Sequence, residues 1–179
     1  MNDLEKLFIG ELSDAYDAEH QLIDTLPKMA EMAHSDELKS AFRQHLEQTL
    51  GQVRRIEEVF QSFGETPRRR HCDGLEGIID EGELVAKEFE NNTALDAGLI
   101  AAAQKVEHYE IATYGSLCTW AKELGNDRAF GLLKEILDEE KDTDEKLTML
   151  AMSGLNVQAL QHDTEKRGET ASKFAKIVS

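Results

Sequence analysis

Apolar side chains recur every three or four positions through almost all of this chain, and the pattern is interrupted at only a few places. That spacing lays one apolar stripe along an α-helix, whereas a half-buried strand alternates every second residue. With two prolines in 179 residues, little in the chain opposes helix, so an all-α protein is expected. The first helix spans about 3–33. Pro27 inside it predicts a kink or break, because the ring removes a backbone donor and crowds the preceding turn. "HSDEL" offers Ser35 or Asp36 as the cap of a second helix, which ends near "FGETP". A shorter helical stretch follows at about 73–91. "NNTALDAG" opens a third long helix that stops at Gly125, and a fourth covers about 127–153.

Four amphipathic helices can bury their stripes against one another as a bundle. The length suits one domain, read here as a helical bundle over 1–155 with a C-terminal tail, 156–179, of some helical character. The links after the first and third long helices are short, so each pair is antiparallel. Between the second and third lie about thirty residues carrying the short extra helix, enough for a long crossover. An ordinary up-down bundle has no use for such a link. The expected architecture is therefore the ferritin-like four-helix bundle.

Charge and composition narrow the function. A net charge of −16 argues against nucleic acid, which needs clustered Lys and Arg for its phosphates. No apolar run approaches the roughly 18 residues of a membrane span. The start "MNDLEKLF" lacks a basic region followed by an apolar one, so a cytoplasmic protein is expected. Cys72 and Cys118 form neither a disulfide framework nor a zinc spacing, and read as small buried apolar residues. The basic run "RRRH" at 68–71 reads as a solvated turn, with a local anion contact as the alternative.

The stripes themselves are not purely apolar. On the first helix Glu19 falls in the middle of Phe8, Leu12, Ala15, Leu22, Leu26 and Ala30, while Asp14, Asp17 and His20 point away. On the second, His45 and Thr49 lie within the stripe, with Gln52 nearby and Glu47 outward. The third carries Glu107 and Glu110, with His108 facing the other way; the fourth carries Glu140 and Asp144 but not Glu135 or Glu139. A single inward Glu ordinarily sits at a stripe's edge with its head in water, and a single His is ordinarily a satisfied core residue. Neither reading predicts the same coincidence on four helices. Buried carboxylates so close cannot all stay ionised without a counter-charge, and no Lys or Arg stands in the stripes. A pair of divalent cations meets the need. Oxygen-rich ligation with an imidazole suits iron or manganese, two ions bridged by glutamates about 3.5–4 Å apart. The candidate ligands are Glu19, His45, Glu107, Glu110, Glu140 and Asp144, with Tyr114 and Tyr16 as groups that could orient them.

The segments "ELSDAYDAEHQL" (11–22), "HLEQTLGQ" (45–52), "LIAAAQKVEHYEIATYGSL" (99–117) and "LKEILDEEKDTDEKLTMLA" (133–151) resemble the YciE/YciF family of bacterial ferritin-like stress proteins. Glu107-x-x-Glu110 also resembles the rubrerythrin pattern, although the second helix carries Leu50 where Glu-x-x-His needs its histidine. The resemblance implies a ferritin-like fold, a homodimer, a dinuclear metal centre on the same six residues and a link to stress. It implies no particular catalytic activity. Reduction of peroxide or dioxygen at the metals is one functional reading; a non-catalytic dimer that sequesters metal or binds a partner is the other.

Overall fold

A computed structural model describes residues 1–157 together with 159 and 160. Five α-helices account for most of them: α1 (Asp3–Met32), α2 (Asp36–Ser62), α3 (Asp73–Phe89), α4 (Leu95–Glu123) and α5 (Asp127–Leu150). A single π-turn, Ala151–Leu155, follows α5, with Gly154 at φ 128° where the path bends. No strand occurs among the described residues. The expected tail lies outside them from residue 161 onward.

The helix ends are written locally. Asn2 accepts the Glu5 N–H while the Glu5 carboxylate accepts the Asn2 N–H, a reciprocal cap that satisfies two free backbone donors. Ser35 caps α2 and Asn126 caps α5. The stops after α2 and α4 share one geometry. Gly64 and Gly125 both adopt φ 72°, and the N–H groups of Glu65 and Asn126 return to the carbonyls of Phe60 and Ala121. Pro27 does not break α1, which runs unbroken to Met32. The ring is exposed, so water can serve the carbonyl that loses its partner.

The links settle the topology. Phe8 near the start of α1 stacks on Phe63 just past the end of α2, and Arg128 at the start of α5 reaches Glu58 near the end of α2. Gln104 early in α4 bonds Thr148 late in α5. Each neighbouring pair is therefore antiparallel, giving an up-down-down-up bundle in which α1 packs on α2 and α4, and α5 packs on the same two. The crossover carries α3 along the outside of α4 and α1. Gly98 permits that approach: a Cβ there would lie 2.7 Å from Val85 Cγ1. This is the ferritin-like arrangement expected from the link lengths.

The core divides into two apolar bodies. One gathers Leu22, Leu26, Leu38, Phe42, Leu99 and Leu147 toward the α1–α2 turn. The other gathers Phe8, Leu12, Phe60, Leu117, Leu133 and Ile136 toward the α4–α5 turn. Between them lies a polar layer. No helix among the described residues is long and apolar enough to cross a membrane.

Candidate metal centre

Each long helix delivers its inward polar residue to that middle layer. Glu19 and Glu140 are wholly buried; Glu107, Glu110 and His45 are 1, 2 and 4% exposed. His45, Glu107, Glu110 and Glu140 each offer a ligand atom, all within 4.8 Å of one another. Glu19 reaches the same group from α1, where it faces Glu110 and the charge of Glu140. The helical period is what aims them: Glu107 and Glu110 lie one turn apart on α4, in line with Ala103, Tyr114 and Leu117.

Electrostatics make the arrangement costly as it stands. Burial, then the charge of Glu140, hold the Glu107 and Glu110 carboxyls well above the usual carboxylate range. Burial, then Glu140, do the same to Glu19, against hydrogen bonding from Tyr114. Glu140 is raised less, to about 7: burial lifts it, while Glu107, Gln52 and Arg55 pull it back. The same burial pushes His45 down to about 4, with Lys146 adding to the effect, so its imidazole is neutral near pH 7. His45 Nε2 stands 3.3 Å from Glu107 Oε1, but it is not aligned for a hydrogen bond, and a neutral ring makes no ion pair.

With these carboxyls ionised, seven buried candidate-ligand atoms have no partner: Glu19 Oε2, both nitrogens of His45, Glu107 Oε2, both oxygens of Glu110 and Glu140 Oε2. Buried polar groups are almost always satisfied, and an unmatched carboxylate in a greasy interior costs several kcal/mol. Divalent cations match what is missing. The donors are carboxylate oxygens with one neutral imidazole, a set that could hold a metal ion.

Not every candidate arrives. Asp144 is set at the rim, its side chain 23% exposed, 3.6 Å from His108 Nε2 and contacted by Gln104 at 3.4 Å. It stands one turn beyond Glu140, where the stripe rolls toward solvent, and it is outside the four-residue cluster. Tyr114 donates to Glu19 from full burial. Tyr16, by contrast, spends its hydroxyl on Glu57 at 2.8 Å, away from the cluster. Glu47 is exposed, as its angle predicts.

Two further participants are Gln52, which the stripe analysis placed only near the stripe, and Arg55, which it did not select. Gln52 is wholly buried and donates to both Glu139 and Glu140. Arg55, one turn further along α2, pairs with Glu139 and supplies a guanidinium whose field reaches Glu19 and Glu140. Its position outside the stripe hid it; a long side chain can lean inward from a helix's shoulder. The run 68–71 is more than a solvated turn. Arg69 Nε donates to buried Asp17 at 2.7 Å, and Arg70 lies 3.4 Å from Glu11, so it straps the crossover to α1. Both cysteines are free and buried, as read, but Cys72 Sγ also meets the Tyr109 hydroxyl at 3.1 Å. A further group, His71, Asp73 and Glu76, is surface-exposed.

Residues 3–160 match a family described as "Domain of unknown function (DUF892)". The chain is 49% identical over 160 residues to Protein YciF of Escherichia coli (strain K12), covering 89% of this chain and 96% of that protein. The crystal structure of the E. coli stress protein YciF matches with a TM-score of 0.83, over 87% of this chain and 99% of that one. YcfI from Rhodopseudomonas palustris matches at 0.79 and 41% identity, over 83% of this chain and 94% of that one. A Xanthomonas campestris protein matches at 0.72 and 21% identity, over 90% of this chain and 99% of its own, which speaks for the fold alone.

Proposed function

The chain belongs to the DUF892 family, with YciF as a half-identical relative, and from that premise we propose that it is a ferritin-like stress-response protein that holds divalent iron or manganese and reduces peroxide or dioxygen. The seven partnerless ligand atoms in the middle of the bundle carry this reading. His45, Glu107, Glu110 and Glu140 would hold one ion, and Glu19 with shared glutamates a second. Bound there, the metals would supply the two electrons that, with two protons, reduce peroxide to two waters, and an outside reductant would restore them.

The protein's own share is positional. His45 enters as a neutral donor because burial has already stripped its proton. Tyr114 stays a neutral phenol, raised by burial and then by Glu19, so its hydroxyl can hold one Glu19 oxygen and leave the other free. The two apolar bodies on either side exclude bulk water. A homodimer is proposed as the working unit, which a sizing measurement decides.

The depth of the cluster supports a second reading, in which the metal staples the bundle and turns nothing over. Metal analysis of protein purified without chelator, followed by a peroxide assay with ferrous iron, separates the two. The redox reading expects bound metal and peroxide consumption that Glu110→Ala abolishes and Glu47→Ala leaves intact. Bound metal without turnover leaves only the staple. Metal-free protein that resists loading ends both.

A further inference from the structure

Helix α2 gives the cluster one direct donor, His45, and Leu50 stands where a second would be expected. Two turns after His45, Gln52 is wholly buried among acids. Its amide nitrogen lies against Glu140 Oε1 and 3.1 Å from Glu139 Oε2. Those two contacts fix which end of the amide faces the acids: its oxygen there would meet two carboxylates, whereas its N–H₂ has one hydrogen for each. Glu139 is in turn held by the Arg55 guanidinium, which also lies 3.9 Å from Glu135. A chain of polar contacts thus runs from the bundle's flank to one candidate ligand: Arg55 to Glu139, Glu139 to Gln52, Gln52 to Glu140.

The result at Glu140 is asymmetric. One oxygen is tethered by Gln52 and the other, Oε2, has no partner and is buried in the cluster. A metal-binding carboxylate needs that condition, one oxygen anchored and the other free, because the anchor fixes the orientation before the ion arrives. Resting on the metal-binding reading above, we infer that Gln52 is a positioning residue that orients Glu140 toward the cation, with Arg55 and Glu139 bracing it. Helix α2 therefore contributes to the site twice, once directly through His45 and once through a ligand of α5.

The probe is Co²⁺ added to chelator-treated protein, read by calorimetry and by its visible absorption. Gln52→Leu keeps the volume and removes the tether. It is expected to bind the same number of ions as wild type, about 10- to 100-fold more weakly, as loss of a ligand's supporting partner usually does. Its absorption bands should shift, while the melting temperature without metal stays near that of wild type. Gln52→Met, which retains an unbranched side chain, serves if Gln52→Leu does not fold, with the same expectation. Unchanged affinity and spectrum would reduce Gln52 to packing and overturn the inference. Loss of one whole ion per chain would also overturn it, by making Gln52 a ligand. Wild-type protein that takes up no Co²⁺ would instead sink the metal reading itself, and this inference with it.

Discussion

Asp17 and Glu19 stand two residues apart on α1 and are 5 and 0% exposed, yet they meet opposite fates. Two residues turn a helix by about 200°, so one faces the crossover and the other the bundle axis. Asp17 accepts from Arg69 Nε at 2.7 Å, the Cys72 N–H at 3.0 Å and Gln21 Nε2 at 2.8 Å. Burial pushes its carboxyl up, but those three donors outweigh it and hold it below the usual carboxylate range. Glu19 receives Tyr114 on one oxygen and nothing on the other, and its pKa rises. Low surface exposure alone therefore says little about an acid's role. What separates a structural carboxylate from a candidate ligand is whether the protein has already answered its charge.

The largest effect expected from this contrast is cation-dependent stability. A cation at a thousandfold excess over its Kd adds about 4 kcal/mol, on the order of 10 °C in melting temperature for a chain of this size. Thermal melts with Mn²⁺ should show this gain in wild type and in Asp17→Ala, and lose it in Glu110→Ala. A gain surviving in Glu110→Ala would place the cation elsewhere.

Removing Asp17 tests the other half. Asp17→Ala leaves the buried Cys72 N–H without its acceptor, while half-exposed Arg69 can turn to water. The expected cost is about 1–3 kcal/mol in denaturant unfolding, with metal stoichiometry unchanged.

Acidity should separate the two sites by sign. Carboxyls whose folded pKa is raised cost the metal-free fold stability as pH climbs from their unfolded value near 4.5 through the folded one, about 7 for Glu140. Asp17, with its folded pKa lowered, stabilises above its unfolded value and loses that contribution as pH falls through the folded one. Chelated wild type should therefore be less stable at pH 8 than at pH 5.5, and Glu110→Gln should flatten that slope. A slope of the opposite sign would contradict the charge imbalance assigned to the bundle centre.

The smallest effect is expected at the border between the two environments. Asp144→Asn should leave the number of bound ions unchanged, since Asp144 is already contacted by Gln104 and by His108 at the rim. Loss of an ion in that variant, measured by metal analysis, would restore Asp144 to the ligand set.

Much of this was legible in the residues. Glu107 and Glu110 fall on the stripe of α4, and Glu19, His45 and Glu140 on theirs, because a 3.6-residue period fixes which side chains share a face. Asp144 lies at the stripe's edge, 23% exposed, where a modest roll of the helix decides between cluster and solvent. Tyr16, expected to orient a ligand, donates to Glu57 instead. Pro27 signalled a break that an exposed position made unnecessary.

Helix placement, caps, the long crossover and the inward aim of five ligand candidates were thus determined by sequence alone, since each depends on residues within a turn or two of one another. Which acids are already neutralised was decided only by the tertiary structure. Arg69 reaches Asp17 from 52 positions away, and Gln52 reaches Glu140 from 88. A local period carries no information about partners that distant. Charge compensation in a buried site is set by what the fold brings across.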